Sequence, residues 1–252
     1  DHIVLFNYWD AWGIFGDRNT PTHNAFRNIS FGWHETQDAA WGMANHRHVG
    51  KCQIALPYVE SPHCSSRSVD SLLSGQRPSA AFFSGAASDF DTEPEKCPNV
   101  ALHATEVRRA ILSLSESVPN AVVRSLPHNL RGCKGDASCE GKMKADAAED
   151  ASRSQFCMIA AGDTPSTGRL YDAISCLCVP MIAVDDLQLP FPHVLHTSTQ
   201  KPLLPADAFG VRLRAAQLLS DPATAVERAL NPADGVQLRE ALVRARRLLA
   251  YR

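Results

Sequence analysis

The clearest change between apolar and polar stretches lies between residues 155 and 184. Two apolar runs there flank a loop of small and polar residues and a short amphipathic segment, in which Leu170 and Ile174 share one helical face. The pattern predicts a strand, a loop, a helix and a second strand at residues 155–160, 162–168, 169–175 and 179–184. This order is a βαβ unit, whose strands are expected to be parallel and joined by a right-handed crossover.

Shorter patterns predict further strands and helices on either side of this unit. Apolar runs predict strands at residues 3–8, 53–59, 80–84 and 121–123. Helical spacing predicts one helix over 105–117, and residues 132–150 are typical of a loop followed by a helix. Asp221-Pro222 and Asn231-Pro232 each combine an N-cap with a proline at the first helical position. The last helix is predicted to bury one apolar stripe, formed by Leu238, Leu242, Ala245 and Leu249.

The polar stretch at residues 65–78 predicts a boundary, so we divide the chain into residues 1–75, 76–200 and 201–252. The 252 residues carry 25 Lys and Arg against 27 Asp and Glu, and a net charge of −2 argues against a general binder of nucleic acid or anionic membranes. The longest apolar runs fall far short of the ~18 residues of a membrane span. Because the first apolar run begins directly after Asp1 and His2, we expect a segment of a longer protein.

The cysteines favour a secretory protein over a zinc ribbon or a thioredoxin. The chain has eight cysteines and no Cys-x-x-Cys pair. Cys133 and Cys139 bracket a polar loop that a disulfide could close, and Cys52 with Cys64 is a second predicted pair. Three more cysteines lie in apolar stretches and are interpreted as buried free thiols, namely Cys157, Cys176 and Cys178. A glycosylation sequon at Asn28-Ile29-Ser30 also favours a secretory protein.

The loop before the predicted helix is the best candidate for binding chemistry. In open α/β sheets, ligands bind beyond the carboxyl ends of strands, where a helix N-terminus offers free N–H groups to a phosphate. Ser166 and Thr167 add hydroxyl donors, and Arg169 could bind a diphosphate through its planar guanidinium. Asp172, three residues further on, could accept hydrogen bonds from a sugar hydroxyl. On spacing alone an alternative stays open, in which Asp163 and Thr164 merely cap the helix and Arg169 forms a surface ion pair with Asp172.

The same stretch resembles the donor-binding signature of a known family. The relevant text is SQFCMIAAGDTPSTGRLYDAI at residues 154–174, followed by CVPMI at 178–182 and LPF at 189–191. It is similar to the signature of the exostosin family (glycosyltransferase family 47), in its plant and algal branch. Weaker similarity at Asp1-His2, Pro57-Tyr58 and the Phe-Phe-Ser-Gly at 82–85 extends the resemblance over most of residues 1–197.

The resemblance implies an α/β glycosyltransferase of the GT-B type. Residues 76–200 would be its complete Rossmann-like half for the nucleotide sugar, 1–75 the C-terminal part of the acceptor-side half, and 201–252 the C-terminal helices. The enzyme would invert the anomeric configuration, take its sugar from a nucleoside-diphosphate sugar, chiefly a UDP-sugar, and need no metal or other cofactor. It would build polysaccharide or proteoglycan-type glycans on a glycan acceptor in the Golgi lumen, as a type II membrane protein anchored outside this segment. Homo- or hetero-oligomers with related glycosyltransferases stay open.

The resemblance also assigns roles to residues of the loop and helix. Arg169 would contact the diphosphate and Asp172 the donor's hydroxyls. The loop would wrap the phosphates through Gly162, Asp163, Thr164, Ser166 and Thr167. The chain departs from the family pattern at two places, because many relatives have Glu where Asp172 stands and basic residues where this chain has Ala86-Ala87-Ser88.

An inverting displacement requires a general base and a group that stabilises charge on the departing diphosphate. Arg169 and the helix N-terminus would serve the diphosphate. Asp10, which follows a strand end, is the candidate base. Histidines at three positions are alternatives, although such residues are more often structural: His34, His46 and His48.

The sequence offers little for a metal and leaves two other classes of function open. His46-x-His48 lacks an evident third ligand, and Asp89-Phe90-Asp91 lies in an acidic stretch interpreted as a solvated loop, so we predict no bound metal. One alternative is a non-catalytic family member that stabilises an active glycosyltransferase. The other is a zinc-binding or lectin-like module, suggested by ten histidines and by the aromatic residues of positions 1–60.

Overall fold

The computed structural model describes residues 3–5, 30–33, 53–55, 62–85, 100–125, 133, 136–161, 167–185, 187, 189, 206–230 and 232–249. The strands within this part are β1 (Ile3–Leu5), β2 (Ser30–Trp33), β3 (Gln53–Ala55), β4 (Ser79–Gly85), β5 (Ala121–Ser125), β6 (Ser154–Ala160), β7 (Val179–Ala183) and β8 (Val211–Arg212). The helices are α1 (Pro62–Ser65), α2 (Val69–Ser74), α3 (Val100–Leu112), α4 (Leu114–Ser117), α5 (Ala137–Ser152), α6 (Gly168–Ser175), α7 (Ala215–Ser220), α8 (Pro222–Ala229) and α9 (Pro232–Leu249).

The strands form two parallel sheets. The first has the order β1-β2-β3, with Val4 opposite Phe31 and Gly32 opposite Ile54. The second has five strands in the order β5-β4-β6-β7-β8. β2 is a strand that the apolar runs do not predict, because its residues alternate between apolar and small and form no continuous run. The five-stranded sheet, flanked by helices, is a Rossmann-like α/β arrangement, which confirms the predicted fold class at that level.

The predicted βαβ unit forms the centre of the second sheet. β6, α6 and β7 follow one another as expected, and the two strands pair in parallel with Met158 opposite Met181. Every residue of β7 is buried, as is typical of a parallel strand covered on both faces. Leu170 and Ile174 are also buried, so the predicted inner face of α6 is confirmed.

The helices lie on the two faces of this sheet according to the direction of each crossover. The connection from β4 to β5 leads toward one edge and the connection from β6 to β7 toward the other. Since such crossovers are right-handed, α3 and α6 lie on opposite faces. α3 packs against β4, β5, β6 and α7, whereas α9 packs against α6, β6 and β7.

Most of the predicted helix boundaries are confirmed. Asp221 caps α8 by accepting a hydrogen bond from the Thr224 N–H, and α9 begins at Pro232. The predicted helix over 105–117 is wrong in its start, because α3 begins at Val100, and it is divided at Ser113 into α3 and α4. The Ser113 hydroxyl donates to the Ala110 carbonyl, a back-bond that bends helices and explains the break.

Two buried arginines hold the amino-end side of the sheet together. Arg77 donates hydrogen bonds to four carbonyl oxygens, those of Leu72, Ala151, Ser154 and Cys176. Arg246 on α9 donates to carbonyl oxygens of residues 64, 65 and 67, where α1 ends. Burial, with a smaller contribution from Arg239, lowers the pKa of Arg77 to about 10. The guanidinium therefore stays charged at neutral pH and supplies charged hydrogen-bond donors to these four buried carbonyls.

The disulfides correct part of the cysteine assignment. Cys133 and Cys139 are bonded as predicted. The Cys52–Cys64 pair is wrong, because Cys64 on α1 lies against the end of α6 and is bonded to Cys176, with the two Cα atoms 4.9 Å apart.

The interpretation of three free thiols is also wrong. Cys176 is bonded to Cys64, and Cys157 is bonded to Cys178 between β6 and the start of β7. These cysteines are buried as expected, but a disulfide and a thiol leave the same apolar pattern in a sequence. No helix within the described ranges is long and apolar enough to cross a membrane.

Candidate functional site

The candidate site lies where the chain leaves β6 and enters α6. Thr167 occupies the N-cap position of α6, whereas Asp163 and Thr164 of the alternative interpretation lie outside the described residues. Thr167 is buried, and its Oγ1 accepts a hydrogen bond from Arg169 Nη1 at 3.4 Å instead of capping the helix. The predicted loop residues Gly162, Asp163, Thr164 and Ser166 lie outside the described residues.

Arg169 is positioned by the end of β4, a contact that the sequence analysis missed. Its Nε donates a hydrogen bond to the Ser84 carbonyl oxygen at 2.8 Å. Its Cζ lies 5.8 Å from the centroid of the Phe83 ring, within the range of a cation–π interaction. The end of β4 and the N-cap residue of α6 therefore both contribute to the position of this guanidinium.

Gly85 leaves the space that this arrangement requires. A Cβ at that position would lie 3.0 Å from Arg169 Nη2 and 2.9 Å from Phe83 Cζ. Distances this short are not tolerated by ordinary packing, so a side chain here would displace the guanidinium or the ring. The glycine that ends β4 thus leaves the guanidinium and the ring in their present positions.

A cavity of about 190 Å³ lies beside Arg169 and Asp172, which both line it. Its walls come from β4, β6, α5 and α6, and its lining is predominantly apolar. The lining includes Phe82, Met158, Ile159, Met143, Ala147 and the disulfide between Cys64 and Cys176. An apolar cavity with a few convergent polar groups is the usual form of a small-molecule site.

One polar atom in the cavity wall lacks a hydrogen-bond partner within the described part of the chain. It is Oγ of Ser84, whose hydroxyl is buried although its backbone carbonyl accepts the bond from Arg169. Buried hydroxyls are nearly always hydrogen-bonded, so an exception beside a cavity indicates a place for a ligand or water. The structure thus adds Phe83, Ser84 and Gly85 to the site that the sequence assigned to 162–172.

The remaining predicted site residues lie outside the described part of the chain. Asp10 and the alternative bases His34, His46 and His48 lie outside the described residues, as does Asp89-Phe90-Asp91. The described ranges contain no group of three or more His, Cys, Asp or Glu side chains that could hold a metal ion.

In open parallel α/β sheets, ligands commonly bind beyond the carboxyl ends of the strands, near a helix N-terminus. Comparison with known families is more specific, since residues 1–201 match the model of the Exostosin GT47 domain. The chain therefore belongs to the exostosin GT47 family of glycosyltransferases, as its signature predicted.

One protein of known name is similar to this chain over a short segment. The chain is 55% identical over 42 residues to "Probable arabinosyltransferase ARAD1" of Arabidopsis thaliana. The matched segment is 17% of this chain and only 9% of that relative. Because so small a part of the relative is covered, its activity does not transfer to this chain by itself.

Proposed function

We propose that this chain is the donor-binding part of an inverting glycosyltransferase of the GT-B type. Its donor would be a nucleoside-diphosphate sugar, most simply a UDP-sugar, and its acceptor a glycan. The transferred sugar would be a hexose or a pentose. The similarity to a probable arabinosyltransferase makes a pentose the first to test.

The position of Arg169 carries this proposal. Its guanidinium is held at the carboxyl end of β4 and beside the cavity, by the Ser84 carbonyl and the space at Gly85. The N-terminal end of α6, which offers free N–H groups and a positive dipole, lies one residue away. A fixed cation and a helix N-terminus together favour a bound diphosphate over an uncharged ligand.

The proposed reaction is a single displacement at the anomeric carbon. The acceptor hydroxyl oxygen forms a bond to that carbon while the bond to the diphosphate oxygen breaks, and the configuration inverts. A general base takes the hydroxyl proton, and Asp10 remains the proposed base. Arg169 and the α6 N-terminus stabilise the negative charge that develops on the departing nucleoside diphosphate. Asp172 accepts hydrogen bonds from donor hydroxyls.

The three disulfides within the described residues support the proposed Golgi lumen, because such bonds persist in oxidising compartments. We propose a type II membrane protein whose anchor is not in this segment, alone or associated with related glycosyltransferases. No metal or other cofactor is required by the proposed chemistry, since the leaving group is served by protein cations and dipoles.

Calorimetric titration of the full-length protein with UDP, with and without EDTA, tests the proposal. We expect binding that EDTA does not change and that Arg169→Ala weakens at least about tenfold, the effect of removing a hydrogen bond to a charged group. Arg214→Ala, which removes an exposed arginine far along the chain, is the matched control and should bind UDP as the wild type does.

Two results would overturn the assignment. A folded full-length protein that binds no UDP contradicts the donor site and favours the non-catalytic partner instead. Binding that disappears with EDTA contradicts the metal-independent reaction. If UDP binds as proposed, release of UDP from a panel of UDP-sugars then identifies the sugar.

A further inference from the structure

A third buried arginine lies at the carboxyl end of β6. Arg108 of α3 is 3% exposed, and its Nε and Nη2 both donate to the Ala161 carbonyl oxygen, at 3.0 and 2.5 Å. Ala161 follows the last residue of β6 and is itself buried. Two donors of one rigid guanidinium therefore bind the last described carbonyl before Gly162.

This position differs from that of the other buried arginines. Arg77 binds the carbonyl of Ser154, at the amino end of β6, and Arg246 binds carbonyls where α1 ends. Both therefore bind carbonyls on the amino-end side of the sheet. Arg108 alone among the described buried arginines lies at the end from which the chain enters the proposed donor loop.

The two faces of the sheet supply complementary cations to this end. Arg169 lies on α6, directly after the loop. Arg108 lies on α3, on the opposite face of the sheet, and binds the carbonyl directly before the loop. Burying a guanidinium costs free energy unless its N–H groups are bonded, and Arg108 meets part of this cost with two bonds to one backbone carbonyl. The two bonds from Arg108 fix the direction of the Ala161 carbonyl, and with it the orientation of the peptide group that begins at Ala161.

We infer that Arg108 is a positioning residue of the donor site. It orients the peptide at which the chain leaves β6 and enters the loop to which the proposed function assigns the phosphates. The inference rests on the proposed function and adds to it a residue that neither the signature nor the loop contains.

Binding to the full-length protein of UDP and of uridine, which lacks phosphate, tests this role. Arg108→Met removes both the charge and the bonds and should weaken UDP binding about tenfold, the usual size for bonds to a charged group. Arg108→Lys keeps the charge but not the fork and should lie between Arg108→Met and the wild type. Uridine affinity should stay the same in all of them, since the effect acts on the phosphates. Arg109→Met, on the exposed side of the same helix, is the control and should change neither affinity.

The outcomes separate this inference from the proposed function. A folded wild type that binds no UDP contradicts the proposed function and this inference with it. If the wild type and the Arg169 variant behave as proposed, but Arg108→Lys binds UDP as tightly as the wild type, the positioning role alone is wrong. An equal loss of UDP and uridine affinity also overturns it, because that result indicates general loosening. Should Arg108→Met fail to fold, Arg108→Lys decides by the same comparison.

Discussion

The two ends of the parallel strands in the five-stranded sheet are built for different purposes. At the amino end, Arg77 binds four backbone carbonyls and the Cys64–Cys176 disulfide joins α1 to α6. At the carboxyl end, Arg169 is only partly buried, and the Ser84 hydroxyl beside it has no partner within the described residues.

The difference separates stability from binding within one sheet. At the amino end, Arg77 and Arg246 supply charged donors to buried backbone carbonyls, which stabilises the fold. The carboxyl end holds a cation and a hydroxyl beside a cavity, and such arrangements are retained for binding even though they stabilise the empty protein less. Substitutions at the first end should thus change stability alone, and those at the second should change binding more than stability.

The largest effect is expected at Arg77. Arg77→Met leaves four buried carbonyls without their donor and should lower the free energy of unfolding by about 3 kcal/mol, the range for a broken buried network. Chemical denaturation measures this loss. UDP affinity, measured where the variant is folded, should remain that of the wild type.

A matched arginine on the same side sharpens this test. Arg67 contacts Glu149 and Ser152 but is 39% exposed in its side chain, so Arg67→Met should cost less than about 1 kcal/mol. An equal loss of unfolding free energy in the two variants would contradict the distinction between a buried arginine that binds carbonyls and an arginine in a surface ion pair. A loss of UDP affinity in Arg77→Met would show that the two ends are coupled.

A smaller loss of stability, with a clear loss of binding, is expected at Gly85. In Gly85→Ala the new Cβ meets Arg169 and Phe83 at 3.0 and 2.9 Å, so the guanidinium must move. We expect about 1–2 kcal/mol less stability from overpacking and UDP binding weakened about tenfold. Thermal unfolding and calorimetry measure the two effects.

Gly141 on α5 is the control for that substitution. A Cβ there meets nothing within 4 Å, so Gly141→Ala should raise stability by about 0.5–1 kcal/mol through its helix propensity and leave UDP binding unchanged. If Gly85→Ala binds UDP normally, Arg169 does not depend on the space at this glycine.

Local periodicity was sufficient to predict the central unit of the fold. The apolar face of α6, the cap at Asp221 and the stripe that buries Leu242 and Leu249 depend on neighbours in sequence, and all are confirmed. The Cys133–Cys139 pair, six residues apart, is confirmed, but nearness along the chain gives the wrong partner for Cys64, because Cys176 is 112 residues away. Only the folded chain brings α1 against the end of α6.

The candidate site divides in the same way. The signature contains Arg169 and Asp172, so a sequence can name them and the structure places both beside the cavity. Ser84 and Gly85 act through contacts between β4 and α6, across a distance in sequence that no local pattern spans. Arg108 left one signal, a cation at helical spacing from the buried Ala104 and Ile111, which is unusual for a solvated residue.

The smallest expected effect distinguishes two buried hydroxyls that both lack a partner in the described residues. Ser84 Oγ lines the cavity, whereas Ser175 Oγ is buried on α6 and does not. Replacing either with alanine removes an unsatisfied polar group, so both variants should unfold at the wild-type free energy or up to about 1 kcal/mol above it. Only Ser84→Ala should weaken UDP binding, by about threefold, because a neutral hydrogen bond to a ligand contributes on the order of 0.5–1.5 kcal/mol. Titration of both variants with UDP measures the contrast, and equal affinities would mean that the Ser84 hydroxyl does not reach the bound nucleotide.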